Sequence, residues 1–170
     1  MELLTNGDFE SSFDGWEVTN GGSGWVIKTS DEGDGINWCE SSYALCTMSQ
    51  TVTLADKGIS AEKIDAGNVT CNASAEMRSA SEDYNSTGKG GRVCDVTVQM
   101  LDANGTVLKT ITVLNDLNYY GEWTPYNVTD QLAVGTRQLK YIVRGEDYLN
   151  WTGTFGPRFR NLSMRVATAN

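Results

Sequence analysis

Asn150-Trp151-Thr152 sets an aromatic ring between an amide and a hydroxyl. A sugar ring presents a patch of C–H groups on one face and hydroxyls around its edge. A site for it needs a flat apolar surface beside a few fixed donors and acceptors. Trp151 would supply the face, the Asn150 amide both donates and accepts, and Thr152 brings a hydroxyl. Tyr148 and the distant Tyr43 are further candidate rings. Gly153 and Gly156 would let the backbone approach closely or turn sharply, and Pro157 would stiffen the exit. A second reading stays open: tryptophan is a mostly buried residue type, and Trp151 could instead cap the end of a hydrophobic core.

Other chemistries fare worse. The chain has no histidine, which removes the commonest general base and the commonest metal ligand. The adjacent carboxylates Glu146 and Asp147 would point to opposite faces of a strand and make a poor acid and base pair. No nucleophile motif appears, so a catalytic function is not expected. The acidic run from Asp31 to Gly35 lacks the EF-hand spacing and reads as a solvated loop; neither metal nor cofactor is expected. Cys39, Cys46, Cys71 and Cys94 lack zinc-site spacing and fit either two disulfides or four buried thiols.

Thirteen basic against twenty-two acidic residues give a formal charge of −9, the wrong sign for neutralising phosphates, so nucleic acid and anionic membranes are poor partners. No run of eighteen apolar residues is present, so no membrane insertion is expected, and the opening residues lack the pattern of a secretory signal. Seven Asn-X-Ser/Thr triplets begin at Asn68, Asn72, Asn85, Asn104, Asn127, Asn150 and Asn161. They suggest a glycosylated, extracellular chain, although a Thr- and Asn-rich β protein collects such triplets in its turns; a cytoplasmic location is the alternative. An extracellular chain of this kind could present its own glycans and self-associate through its sheet edges. Asn150 sits in both schemes, since a glycan attached there would occupy the loop proposed to bind one.

The elements that must position these residues are strands. Residues 49–55, 68–77, 93–101, 106–114 and 137–145 alternate apolar and polar side chains with the period of half-buried antiparallel strands. Asn104-Gly105, inside Asp102 to Gly105, supplies the positive dihedrals of a tight hairpin between the third and fourth. Residues 60–66 give the only helical signal, one or two turns, and Ser60 with Lys63 does not make a capping box. Trp16 and Trp25 read as core. Arg78 to Arg92 is polar and Gly-rich, a long exposed loop. With 18 Gly and 2 Pro, the expectation is one all-β domain over residues 1–170. Its form is a jelly-roll β-sandwich of two antiparallel sheets with at most one short helix.

Several stretches resemble the F-box-associated domain, a galactose-binding-like jelly roll found in sugar-recognising F-box proteins. They are residues 2–25, which include "GGSGW", Ser41 to Leu54, Cys94 to Asp102, and the closing "NWTGTFGPRFRNLSMRV" of residues 150–166. The resemblance implies binding of the inner chitobiose of N-linked glycans, or of glycoproteins carrying it, through loops at one end. It places the family's first aromatic on Tyr43 and its tryptophan on Trp151. The family's flanking Tyr and Lys fall on Asn150 and Thr152, and its aspartate falls near Gly91, so those hydrogen-bonding positions depart. The helical F-box that precedes this domain in such proteins is not seen in the chain, so an adaptor function is not expected of it.

Overall fold

A computed structural model describes residues 1–29, 33–79, 91–117, 121–148, 153 and 156–169. The strands are β1 (Glu17–Thr19), β2 (Val26–Thr29), β3 (Asn37–Glu40), β4 (Cys46–Thr53), β5 (Val69–Arg78), β6 (Val93–Leu101), β7 (Val107–Asn115), β8 (Thr124–Gln131), β9 (Gln138–Glu146) and β10 (Arg158–Thr168). They form two five-stranded antiparallel sheets, ordered β1-β4-β9-β6-β7 and β2-β3-β10-β5-β8. This is the jelly-roll sandwich the alternation predicts. Among the described residues the single α-helix, α1 (Ala61–Asp65), follows a 3-10 turn at Leu54–Lys57. Ser60 lacks a capping-box partner, yet its hydroxyl accepts from the Lys63 N–H at 3.2 Å and caps the helix alone.

Strict alternation sorts β5 into two faces. Val69, Cys71, Ala73, Ala75 and Met77 point inward, while the residues between them are exposed or half-buried. Leu139, Tyr141 and Val143 of β9 and Phe159, Leu162, Met164 and Val166 of β10 fill the interior from the two sheets. In β10 the inward residues are three apart between Phe159 and Leu162, because the register shifts between Arg160 and Ser163. Asn161 takes up that shift with a φ of 51°, the conformation in which asparagine is tolerated better than other side chains. At the other end of the sandwich the 102–105 hairpin also departs from a two-residue turn. Only Gly105 has positive φ, 82°, and Asp102 Oδ1 accepts from the N–H groups of Asn104 and Thr106 at 2.8 and 2.9 Å. The glycine is used as a bulge after an ordinary turn.

Trp16 and Trp25 are core residues, packed edge-on against Tyr141 and Phe159 with centroids 6.0 Å apart in each pair. The Trp16 Nε1 donates to the Asn6 carbonyl at 3.0 Å. The phenol of Tyr141 crosses the interior and donates to the Ser74 carbonyl at 2.7 Å, joining the two sheets through one hydrogen bond.

All four cysteines are buried and unbridged, so the disulfide alternative is corrected in favour of thiols. Register rules out two of the pairings. Cys46 and Cys94 both stand opposite Gly145, one on each side of β9. Two strand spacings, about 9–10 Å, separate them, beyond the reach of a disulfide. Cys39 and Cys71 lie opposite Phe159 and Val166, far apart along β10. Burial pushes the thiol of Cys71 up to about 12 and those of Cys39, Cys46 and Cys94 upward as well.

Two outcomes are expected. A thiol reagent such as Ellman's should find none of the four cysteines in the native protein within minutes and all four in guanidinium. Tyr141→Phe should lower the denaturant midpoint by an amount equivalent to about 1 kcal/mol, the net worth of a buried hydrogen bond. An unchanged midpoint would show that the phenol does not hold the sheets together.

Candidate functional site

In this topology the connections β1–β2, β3–β4, β5–β6, β7–β8 and β9–β10 all emerge at one end of the sandwich. The candidate loop, after β9, therefore lies at the same end as Tyr43, after β3. What joins them is a pair of buried serines. Ser41 donates to the Pro157 carbonyl from its N–H at 3.2 Å and from Oγ at 2.9 Å, and its own carbonyl accepts from the Gly156 N–H at 3.0 Å. The hydroxyl of Ser42 donates to the Gly153 carbonyl at 2.5 Å and accepts from the Ser23 N–H at 2.9 Å. The Ser42 carbonyl accepts from the Asp147 N–H at 2.8 Å. The entry and exit of the 147–157 connection are thus tied to one dipeptide, and so is the Gly-rich turn after β1.

These ties require glycine around them. A Cβ on Gly156 would lie 2.2 Å from Ser41 Oγ and 2.9 Å from the Ser41 backbone carbon. One on Gly145 would lie 2.4 Å from the same hydroxyl, and one on Gly21 2.2 Å from the Leu45 carbonyl oxygen. Gly153 has a φ of 119°, a conformation other residues rarely adopt. Close approach at Gly156, sharp turning at Gly153 and a fixed exit at Pro157 are thus all observed.

Tyr43 is half-buried at the tip of its loop, with its ring edge beside Gly22. Tyr148 is half-buried as well, and its carbonyl accepts from the Arg92 guanidinium at 3.2 Å. Asn150, Trp151 and Thr152 lie outside the described residues, as do Asn85, Asp31, Glu32 and most of the 78–92 loop. Gly91, where the family pattern has an aspartate nearby, packs directly on Pro157; a Cβ there would sit 2.6 Å from the proline ring. Asn68, Asn72, Asn104, Asn127 and Asn161 are exposed. The side-chain amide of Asn72 donates to Thr129, and that of Asn161 to Glu76.

A second group of residues at this end was not singled out from the sequence. On the outer face of the β2-β3-β10-β5-β8 sheet, Trp38 of β3 and Trp123, just before β8, reach toward each other across the two strands between and meet with centroids 5.9 Å apart. Beneath them the Arg158 guanidinium lies 5.6 Å from the Trp38 ring and that of Arg160 4.4 Å from the Trp123 ring. Arg160 bonds Glu76 through Nη2 at 3.2 Å and Asp34 through Nη1 at 3.2 Å. Glu40, with 1% of its side chain exposed, is flanked by Lys28 at 2.9 Å and Arg158 at 3.5 Å. Beside Trp123 opens a cavity of about 420 Å³ lined by Arg78, Gly121, Glu122, Trp123 and Arg160. The signal in the sequence is the Arg-Phe-Arg step at 158–160, whose alternation puts both arginines on the face opposite the core.

Comparison with known proteins agrees with this architecture. The chain is 27% identical over 159 residues to F-box only protein 27 of Macaca fascicularis, covering 89% of this chain and 54% of that protein. It is 26% identical over 174 residues to F-box only protein 17 of Homo sapiens, covering 96% of this chain and 59% of that protein. The chain therefore spans little more than half the length of these relatives. Among solved structures it superposes on the family 16 carbohydrate binding module-2 with a TM-score of 0.60 at 21% identity, covering 96% of this chain and 99% of the module. The family described as F-box associated region matches residues 1–166, and the chain belongs to it.

Proposed function

We propose that this domain is a non-catalytic glycan-binding module that holds the chitobiose core of N-linked glycans at the loop end of the sandwich. Trp151 and Tyr43 give the apolar faces, Tyr148 a third ring, and Asn150 and Thr152 the polar groups beside them. The observation that carries the reading is the Ser41–Ser42 clamp. It ties the backbone on both sides of Asn150-Trp151-Thr152 to the loop bearing Tyr43, which is what a rigid, preorganised aromatic site needs. Family membership over residues 1–166 and relatives that are F-box only proteins support the same reading.

The cytoplasmic location is preferred over the extracellular one. Four unbridged, buried thiols suit a reducing compartment, where no glycan would be attached at Asn150 and its amide would be available to a ligand. Partners are then glycoproteins that present their glycans to the cytosol.

Calorimetric titration with chitobiose tests the proposal. Trp151→Ala should weaken binding by at least about tenfold, while Tyr43→Phe, which keeps the ring, should stay near wild type. No heat of binding for the wild-type protein would end the idea. Gly156→Ala should lower both affinity and stability, the latter by about 1–3 kcal/mol, because the added methyl displaces the backbone of Ser41. In Gly145→Ala the close contacts are with the Ser41 side chain, so Ser41→Gly in the same protein should recover part of the loss in a melting experiment.

A further inference from the structure

We propose that the cavity beside Trp123 is a second saccharide subsite, taking the neutral sugar residues that extend beyond a disaccharide held by the loops. The inference rests on the loop reading and adds a second contact surface to it.

Size and position come first. At about 420 Å³ the cavity falls within the range of roughly 300–1,000 Å³ of small-molecule sites. Its walls come from the loop-end residues of two strands and the connection between them and their neighbours: Arg78 closes β5, while Gly121, Glu122 and Trp123 lead into β8. Arg160 lies two residues into β10, which follows the candidate sugar loop through Pro157. A saccharide anchored at the loop end would therefore have this cavity on the adjoining sheet face.

The chemistry of the walls selects the ligand class. Trp123 is half-exposed, and the Arg160 guanidinium fixes its tilt from 4.4 Å away. Such a held ring loses little freedom when a ligand stacks on it. Arg160 does not call for an anionic ligand, because Glu76 and Asp34 already accept from it. The remaining charged walls, Arg78 and Glu122, are opposite in sign. A cavity with one aromatic face and charged walls of both signs matches a neutral polyol, whose hydroxyls both donate and accept. A phosphate or an anionic polymer would meet Glu122 and a chain of net charge −9.

The test compares chitobiose with the pentasaccharide core of N-glycans, which adds three mannoses, by calorimetry on the wild-type chain and on Trp123→Ala, Glu122→Ala and Trp151→Ala. Glu122 is exposed, so its replacement leaves the fold intact if Trp123→Ala does not. The pentasaccharide should bind the wild type more tightly than chitobiose. Trp123→Ala should remove most of that gain, about tenfold, with Glu122→Ala removing a smaller part, and both should leave chitobiose affinity unchanged. Trp123→Phe should restore part of the gain. Equal affinities of the two sugars for the wild type, or a gain that survives both substitutions at the cavity, would overturn the subsite while leaving the loop reading standing. Failure of the wild type to bind either sugar would overturn both. A Trp151→Ala protein that loses chitobiose but keeps a pentasaccharide signal sensitive to Trp123→Ala would support the subsite on its own.

Discussion

The loop end of this sandwich depends on one serine side chain wedged between two glycines. Ser41 lies where the end of β9, the start of β10 and the connection after β3 converge, with Gly145 on one side and Gly156 on the other. A hydroxyl that deep must be hydrogen-bonded, and its acceptor is the Pro157 carbonyl, 116 residues away in sequence. Satisfying the buried polar group and fixing the exit of the candidate loop are therefore one interaction. The small side chains of Cys46 and Cys94, flanking Gly145 across β9, complete a low row at this end of the interior, and Phe159 and Ser41 crowd over its centre. Small residues in the core and a fixed loop above it have the same cause.

The outer face of the second sheet is organised by charge. The desolvation of a charge in a protein runs to several kcal/mol, so the buried Glu40 needs Lys28 and Arg158 close beside it. Arg160 is held likewise by Glu76 and Asp34. These pairs pin the two guanidiniums against the sheet, and Trp38 and Trp123 lie over them. The position of each indole thus follows from pairings beneath it. Trp38 is buried in the process, and its Nε1 has no hydrogen-bond acceptor among the described residues, whereas Trp123 keeps an open side toward the cavity.

How much of this the sequence reveals varies by element. β5 and β9 are legible because each alternates without interruption against one buried face, and enough of that period survives in β4, β6 and β7 to mark them as strands. β8 is not, because it runs at a sheet edge with Pro125 in it and no fully buried side chain to mark its inner face. β10 hides its period behind the register shift at Asn161. The chemistry of Trp151 and its neighbours can be read locally, since the residues are contiguous. The Trp38 and Trp123 pair cannot, because the two lie 85 positions apart and meet only through the crossing order of the strands. Ser41 and Ser42 give no signal at all, as serine in a connection is ordinary, and only the backbone packed around them reveals their part.

Departures from the family pattern bear on what the loop end can recognise. The resemblance puts a charged lysine where this chain has Thr152 and an aspartate near Gly91, which is filled by Pro157 and has no room for a side chain. A hydrogen bond to a charged group is worth about 1.5–3 kcal/mol, so losing two such groups weakens a shared ligand substantially if nothing replaces them. Stacking on Trp151 and Tyr43, as proposed, would survive the substitutions but would discriminate poorly among sugars, since many present a C–H face. Discrimination must then come from fixed polar groups elsewhere within reach of the ligand. The Arg160–Glu76 pair beside Trp123, held on β10 and β5, is one such set among the described residues.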